Sequence, residues 1–516
     1  MVIAAPEGAF RHGFLAVVGG SAPVAEAGWD AALVGRIELL FHPTLRRTAS
    51  AWGRHDAVCF LGEVVDLEHP LWGEEEIAHA AALELVRGGI DAVVRFVAYL
   101  GGRFVCLVAT GARVVVIPDC HATQRVYWQP WQGGLAMASH ANLLAELTAP
   151  GVDEEVLGLM RRGRHMKTGG TRYLPGVRTP FVGVRPLLPN HVLDVDVPSG
   201  VTTHKRFYPS TSQSELDPQL AVERFEELFR GHVQLLCRYG RVGTSLTAGF
   251  DSRTSFLAAY SHMLPGSFAW TWNDFEEPKA DLVADVLGAN ELAFQLGVPH
   301  RVIALRRPDD LHRFEESYER TFRFWPQHER AAFAVAAQLP ADFFQLLSML
   351  AETGTGFYKR RTPGPWDAGR LSQLYSSYPF GRLPEVIDLH EEFIEYAGFT
   401  EHAMGGIDYH DLFYWEARAG RWATARIQEA DLSHRVLLPF NQRGIIESLH
   451  ALPLPARVGK QPLAHLIERL RDEHLGASRT TTSPLTSGPL QRWKSARVMS
   501  RRVRGWSRRF DRAPPP

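Results

Sequence analysis

Cysteine, net charge and long apolar runs are all scarce in this chain. The four cysteines, Cys59, Cys106, Cys120 and Cys237, form no Cys-x-x-Cys pair and have no histidine at zinc-like spacing. A disulfide framework or structural zinc site is therefore not expected. Three of them sit in apolar runs (AVCFLG, RFVCLV, QLLCRY) and read as reduced and buried, which fits a cytoplasmic protein. Against 57 Asp and Glu stand 56 Lys and Arg, so no overall field draws the chain to nucleic acid or an anionic membrane. No stretch approaches the roughly 20 apolar residues of a spanning helix. Arg11-His12 followed by GFLAVVGGSAPVAEA imitates a signal peptide, but its apolar run of about eight residues is at the lower limit for one, so Phe14 to Val18 reads as a buried strand. No Gly-x-Ser-x-Gly elbow supports serine chemistry. His402, His410 and His434 are scattered through a helical region and read as surface or core residues.

The 516 residues are enough for two domains. The first half reads as strands and turns: Val58 to Val65, Arg103 to Val108, Arg113 to Ile117, Val126 to Trp128 and His191 to Val195, with a helix predicted over Glu74 to Arg87. The polar, aperiodic segment Ser210 to Asp217 is the candidate linker. Beyond it, a helix from Gln219 to Tyr239 places Val222, Phe225, Leu228 and Phe229 on one face. Strands at Val242 to Leu246, Phe268 to Trp272 and His300 to Leu305 then alternate with helices over Asp251 to Tyr260 and from Pro278 to Gln295. That alternation predicts a parallel α/β sheet. The remainder to about Leu475 reads as helical, and the aromatics of Tyr409 to Trp422 as a packed seam. From Thr480 the chain is Ser/Thr-rich and then basic, with nine Lys or Arg between Arg492 and Arg512. Met499, Val503, Trp506 and Phe510 recur at helical spacing there, but a frayed, flexible tail is the plainer expectation. The division is thus 1–209, 210–479 and a tail over 480–516.

The stretch VGTSLTAGFDSRTSFLAA, Val242 to Ala259, carries the chemistry. An apolar strand runs into small residues, an acid and a helix, aiming backbone N–H groups and a helix N-terminus at one spot, as a phosphate chain requires. Thr247 and Ser252 add hydroxyls, and Gly249 permits close backbone approach. Asp251 would repel bare phosphate and makes sense as a ligand to Mg2+ shared with it.

These residues resemble the SGGxDS pyrophosphate loop of the N-type ATP pyrophosphatases, with Thr247 and Ala248 in place of Ser and Gly. Downstream, Phe268 to Trp272, Asp285 to His300, Leu346 to Tyr358, Asp431 to Arg443, Leu452-Pro453 and Gly459-Lys460 resemble successive segments of the asparagine synthetase family. In the loop around Ser348, Thr353 stands where that family has Asp, which leaves Glu352 as the nearest acid. The first half is similar to the family's amidotransferase domain at Tyr99 to Phe104, Pro118 to Trp128 and Met137 to Leu144. Glutamine-using members need a cysteine after the initiator Met; here Val2 stands there, so glutaminase activity is expected to be absent.

The resemblance implies an N-terminal Ntn-hydrolase-like β-sandwich with helices. It implies a C-terminal parallel sheet of the PP-loop ATP pyrophosphatase type with added helices, α+β and α/β respectively. It further implies that Leu246, Thr247, Ala248, Gly249, Phe250, Asp251, Ser252, Trp270, Thr271 and Ser348 bind ATP, and that Asp251 and Glu352 hold Mg2+. Lys460, Asp251 and Glu352 would carry catalysis, with Asp285 at an acidic position of the family. Relatives with a dead amidotransferase domain, the β-lactam and carbapenam synthetases and lasso-peptide cyclases, adenylate a carboxylate that an amine then attacks. Leu350 and Arg435 occupy the places of the tyrosine and glutamate that activate the amine in the β-lactam formers, so peptide cyclisation or another natural-product amide reaction is expected. The expected partners are a small-molecule or peptide carboxylate and a precursor peptide or partner protein; homo-oligomerisation stays open. The alternatives are an asparagine synthetase using free ammonia, sulfur transfer to tRNA (which the lack of a cysteine pair opposes), and a non-catalytic nucleotide- or peptide-binding relative.

Overall fold

The computed structural model describes residues 8–476 except 21–27, 53–54, 167–172, 210–216, 278, 307–310, 325–327 and 363. Val2, the linker expected over Ser210 to Asp217 (all but Asp217) and the tail from Thr480 lie outside the described residues. Within them the antiparallel strands come first. They are β1 (Phe14–Val18), β2 (Asp30–Val34), β3 (Ile37–Phe41), β4 (Arg47–Trp52), β5 (Asp56–Val65), β6 (Gly101–Ala109), β7 (Arg113–Pro118), β8 (Tyr127–Trp131), β9 (Gly134–Ala138), β10 (Arg185–Pro186), β11 (His191–Asp196) and β12 (Thr202–Arg206). They make two six-stranded sheets, ordered β10-β8-β9-β1-β3-β2 and β12-β11-β7-β6-β5-β4.

Period-two alternation builds a layered core from these sheets. In β5, Cys59 and Leu61 join a cluster with Phe14, Ala16 and Val18 of β1, between the sheets. Val58 and Phe60 point the other way, onto Ile77, Ala81 and Val97 of the helix Glu74–Ala98. The helix Ala141–Thr148 covers the far face of the first sheet through Leu143 and Leu144. The order is helix, sheet, sheet, helix. The helix predicted to end at Arg87 runs on to Ala98 across a break at Gly89, whose φ of 69° glycine adopts without a steric cost. All four cysteines are buried and free.

The second half forms a five-stranded parallel sheet: β13 (Val242–Ser245), β14 (Phe268–Asn273), β15 (His300–Ala304), β16 (Phe344–Leu346) and β17 (Arg435–Leu437), ordered β15-β14-β13-β16-β17. The last two lie in sequence that reads as helical and are corrections to that expectation: each is three residues long, too short to show a period. Phe225 and Phe229 of the helix Pro218–Leu236 are fully buried against this sheet, with Val222 and Leu228 at the margin. Asp217 caps that helix, accepting from the N–H of Gln219 at 2.9 Å.

The antiparallel layers and the C-terminal segment share a buried polar seam. Both guanidinium arms of Arg103 reach the Asp431 carboxylate, at 2.6 and 2.5 Å, and Arg435 Nε donates to Glu63 at 2.7 Å. Asn441 Nδ2 donates to the Gly102 carbonyl at 2.7 Å and to Asp119 at 3.0 Å. Among the described residues, no helix is long and apolar enough to cross a membrane.

Candidate functional site

Chain direction in the parallel sheet selects one crevice. From β13 the chain builds outward through β14 and β15, then crosses to the other side for β16 and β17. In an open α/β sheet, the gap beyond the carboxyl ends of the strands at such a reversal is where ligands bind. Two segments leave β13 and β16 at that place: Leu246 to Gly249 and Leu347 to Met349.

The first segment is folded by its own side chains. Leu246 N donates to the Trp270 carbonyl at 2.9 Å, extending the ladder one residue, and Thr271 Oγ1 donates to the Leu246 carbonyl at 2.7 Å. The Thr247 N–H donates to Ser252 Oγ at 3.1 Å, and the two hydroxyls lie 2.8 Å apart. The Gly249 N–H reaches Thr247 Oγ1 at 3.1 Å, and the Ala248 N–H reaches Asp285 Oδ1 at 3.1 Å. Three loop amides are thus engaged by side chains. The helix Phe250–Tyr260 then starts with Gly249 as its N-cap, with no side-chain cap. Its first-turn N–H groups and positive dipole end are left for an anion.

Lys460, 209 residues away, closes the site. Its Nζ donates to both Asp251 oxygens, at 2.7 and 2.8 Å. Lys460 has φ of 58°, a left-handed conformation costing an L residue about 1–2 kcal/mol. It caps the helix Gln461–Leu475 from that conformation. Glu352, in the short helix Ala351–Thr355, belongs to the same electrostatic cluster. Burial pushes its carboxyl above the ordinary glutamate value; Lys460 pulls it down, Asp251 pushes it up, and the Tyr414 hydroxyl, donating at 3.1 Å, pulls it down.

A cavity of about 210 Å3 lies over the crevice. Leu246, Thr247, Gly249, Asp251, Ser252, Trp270, Thr271 and Ser348, all expected from the sequence, line it. Ser348 Oγ also donates to Ser255 Oγ at 2.7 Å, tying the β16 segment to the loop helix. Lys460 and Glu352 approach through Asp251 rather than by lining the cavity, and two of the residues expected to bind ATP stand apart from it. Ala248 turns its methyl to Gly288 of the helix Ala280–Gln295, where an added Cβ would come within 2.9 Å. Phe250 is 39% exposed. Asp285, on that same helix, holds the loop amide. Sequence reading missed Arg426, whose guanidinium lies 4.6 Å from the Trp272 ring centroid at the cavity wall and which sits in helical text without a local signal; Tyr414 reads in the sequence only as part of the aromatic seam Tyr409 to Trp422. Arg435, compared above with a glutamate of the β-lactam formers, is committed to Glu63 and Gln124 in the buried seam. Among the described residues, no three His, Cys, Asp or Glu side chains are grouped to hold a metal. Asp251 and Glu352 are two carboxylates, a complement that suits a Mg2+ retaining water and phosphate oxygens.

No family model matches the chain, and no curated protein matches it. Among solved structures it is similar to a glutamine phosphoribosylpyrophosphate amidotransferase from B. subtilis, complexed with ADP and GMP, at 9% identity and a TM-score of 0.24. The similarity covers 58% of this chain and 61% of that one, so the chain spans about three-fifths of that enzyme's length. A TM-score of 0.24 is too low to carry an argument about either fold or function.

Proposed function

We propose that the chain is an ATP- and Mg2+-dependent ligase of the asparagine-synthetase-like kind, activating a carboxylate for attack by an amine. In this reading residues 1–209 are an Ntn-hydrolase-like sandwich, 210–479 a PP-loop synthase domain and 480–516 a basic tail. The supporting observation is the Lys460–Asp251 pair, held by a strained backbone at the uncapped N-terminus of the loop helix, beside Glu352.

The residues fit the ligands they would hold. Pyrophosphate would lie against the first-turn N–H groups of Phe250–Tyr260 and the hydroxyls of Thr247 and Ser252, with adenine toward Trp270 and Thr271. Mg2+, held by Asp251 and Glu352, would neutralise charge on the phosphates. Lys460 would exchange Asp251 for phosphate oxygens when nucleotide enters. A substrate carboxylate oxygen attacks the α-phosphorus; that P–O bond forms as the α–β bridge breaks and pyrophosphate leaves. The amine then forms a C–N bond to the acyl carbon, the C–O bond to AMP breaks, and the amine proton is released. Lys460 and the helix N–H groups stabilise charge moving onto pyrophosphate.

None of the four cysteines suits the role of nucleophile toward glutamine. Burial pushes the thiols of Cys59, Cys120 and Cys237 up to about 12 and that of Cys106 well above its ordinary value. The amine therefore comes from the substrate, as in peptide cyclisation or natural-product amide formation, or from free ammonia. Pyrophosphate release from ATP and Mg2+, measured across a panel of peptide and small acids with and without ammonium, tests this. Release that depends on the acid supports the ligase, and dependence on ammonium with aspartate selects the ammonia-using alternative. A silent panel, with nucleotide still bound, sinks the ligase in favour of a non-catalytic binding protein, a reading favoured by the engagement of three loop amides within the protein.

A further inference from the structure

A second cavity, of about 80 Å3, lies between the first antiparallel sheet and the helical stretch Tyr414–Asp431. Arg125, His140 and Arg421 line it, none of which serves the site described above. Positive charge is concentrated there with little to answer it. Arg125 Nε donates to Thr424 Oγ1 at 2.8 Å, Nη1 to the Tyr127 hydroxyl and to Gln428 Oε1 at 3.3 Å, and Nη2 to the Arg421 carbonyl at 2.5 Å. Every one of those acceptors is neutral. Arg421, only 6% exposed, donates through Nη2 to the Arg178 carbonyl, again neutral, and its Nη1 is buried without a partner.

His140 repeats the pattern. It is 4% exposed; its Nδ1 lies 2.8 Å from Ser139 Oγ, and its Nε2 is buried without a partner. Among the described residues the one acid lining the cavity is Glu429, whose Oε2 already accepts the His328 N–H at 2.7 Å. Burial, with Arg125 pushing the same way, lowers the Arg421 guanidinium to about 10, as expected of a cation lacking its counter-charge. Proteins rarely bury a cation or a polar hydrogen without a partner, and an orphan on each of two elements facing one space indicates a missing third group.

We propose that this cavity binds a small oxyanion of phosphate or sulfate size. Arg421 Nη1 and His140 Nε2 are its donors, and Arg125 supplies the second positive charge. The Ser139 hydroxyl lies 3.3 Å from the Phe14 carbonyl and 2.8 Å from His140 Nδ1; turned toward Nδ1 it leaves the imidazole proton on Nε2, the tautomer a bound anion selects. The space is several times the roughly 10–15 Å3 that one water needs on the same measure. Both an inorganic oxyanion and the carboxylate of a small acid share the required chemistry. Bound, the ion joins the first sheet (through Arg125, two residues before β8, and His140) to the helix carrying Arg421, and so fastens the antiparallel layers to the C-terminal half.

Thermal unfolding of the full chain at constant ionic strength tests the site, with phosphate, sulfate, acetate or chloride as the varied anion. A saturable rise in Tm with phosphate or sulfate beyond that with chloride is expected, because a ligand confined to the native state stabilises it by mass action. A rise with acetate alone reassigns the occupant to a carboxylate. Arg421→Met should raise the half-saturating concentration at least about tenfold, the scale of one charge-assisted hydrogen bond. Equal shifts with all four anions, or a parental half-saturation in Arg421→Met, overturn the proposal. Should that variant fail to fold, parental crystals soaked in selenate decide: an anomalous peak between Arg421 and His140 supports the site, and none there refutes it. Neither readout involves nucleotide, so the ligase reading stands or falls separately.

Discussion

Replacing Lys460 with glycine separates its chemistry from its structural role. The left-handed φ of 58° costs lysine about 1–2 kcal/mol and glycine little, while glycine's extra freedom in the unfolded chain returns about 0.5–1 kcal/mol. The lost ion pair joins side chains 20% and 30% exposed and, after solvent screening, is worth about 1 kcal/mol. These terms nearly cancel. Stability should therefore change by no more than about 1 kcal/mol, a Tm shift of a few degrees at most. In the proposed ligase, catalysis has no such compensation. Losing one preorganised donor to developing charge costs about a hundredfold to a thousandfold in turnover. The assay is pyrophosphate release under saturating ATP and Mg2+, alongside calorimetry of the same preparation. A Lys460→Gly protein that melts like the parent and turns over within about threefold of it would refute the role assigned to Lys460. One that melts ten degrees lower would refute the strain argument.

Three further outcomes follow from the same geometry. Glu352 must be ionised to hold a cation, and its carboxyl is raised mainly by burial, so the acid limb of the activity–pH profile should lie above the usual glutamate range. Tyr414→Phe removes a hydrogen bond that lowers that carboxyl and should move the limb to higher pH, read from kcat against pH; an unmoved limb excludes Glu352 as the titrating group. Gly288→Ala would drive a Cβ to 2.9 Å from the Ala248 methyl, displacing the loop from the helix Ala280–Gln295. Weaker ATP binding by calorimetry is expected, with the double variant Ala248→Gly, Gly288→Ala restoring it. Burial pushes the Asp431 carboxyl up, but Arg103 and Arg435 hold it down to about 2. That depressed value supplies stability that is present above the unfolded carboxyl's pKa near 4 and lost as pH falls toward 2. Arg103→Met should cost about 3–5 kcal/mol in urea unfolding at neutral pH and flatten the acid side of the stability profile.

Elements with a period of their own were legible before any fold was known. The strand Phe14–Val18 agrees residue for residue with its reading, and the helix Phe250–Tyr260 starts one residue early. The burial of Cys59, Cys106 and Cys237 follows from the apolar runs around them, whereas Cys120, between Asp119 and His121, is buried by tertiary packing. The helix predicted to stop at Arg87 continues because Gly89 is a break that the following apolar residues bridge by packing on the sheet. Tyr414 looked like packing within an aromatic seam, and its hydroxyl reaches Glu352 because the helical stretch Tyr414–Ala423 packs against the short helix Ala351–Thr355.

Local sequence determined what a few neighbouring residues can decide between themselves. It marked where side chains alternate, where a turn of small residues leads into a helix, and which acid stands at that helix's first turn. Tertiary structure alone decided which distant groups meet. The Lys460 ammonium finds Asp251, Ala248 turns its methyl to Gly288, and three-residue strands such as β16 and β17 exist because neighbours from elsewhere in the chain complete their ladders. Arg421 and His140 face one cavity for the same reason. Such contacts depend on distances between segments tens to hundreds of residues apart, and no period or propensity within a short window encodes those distances.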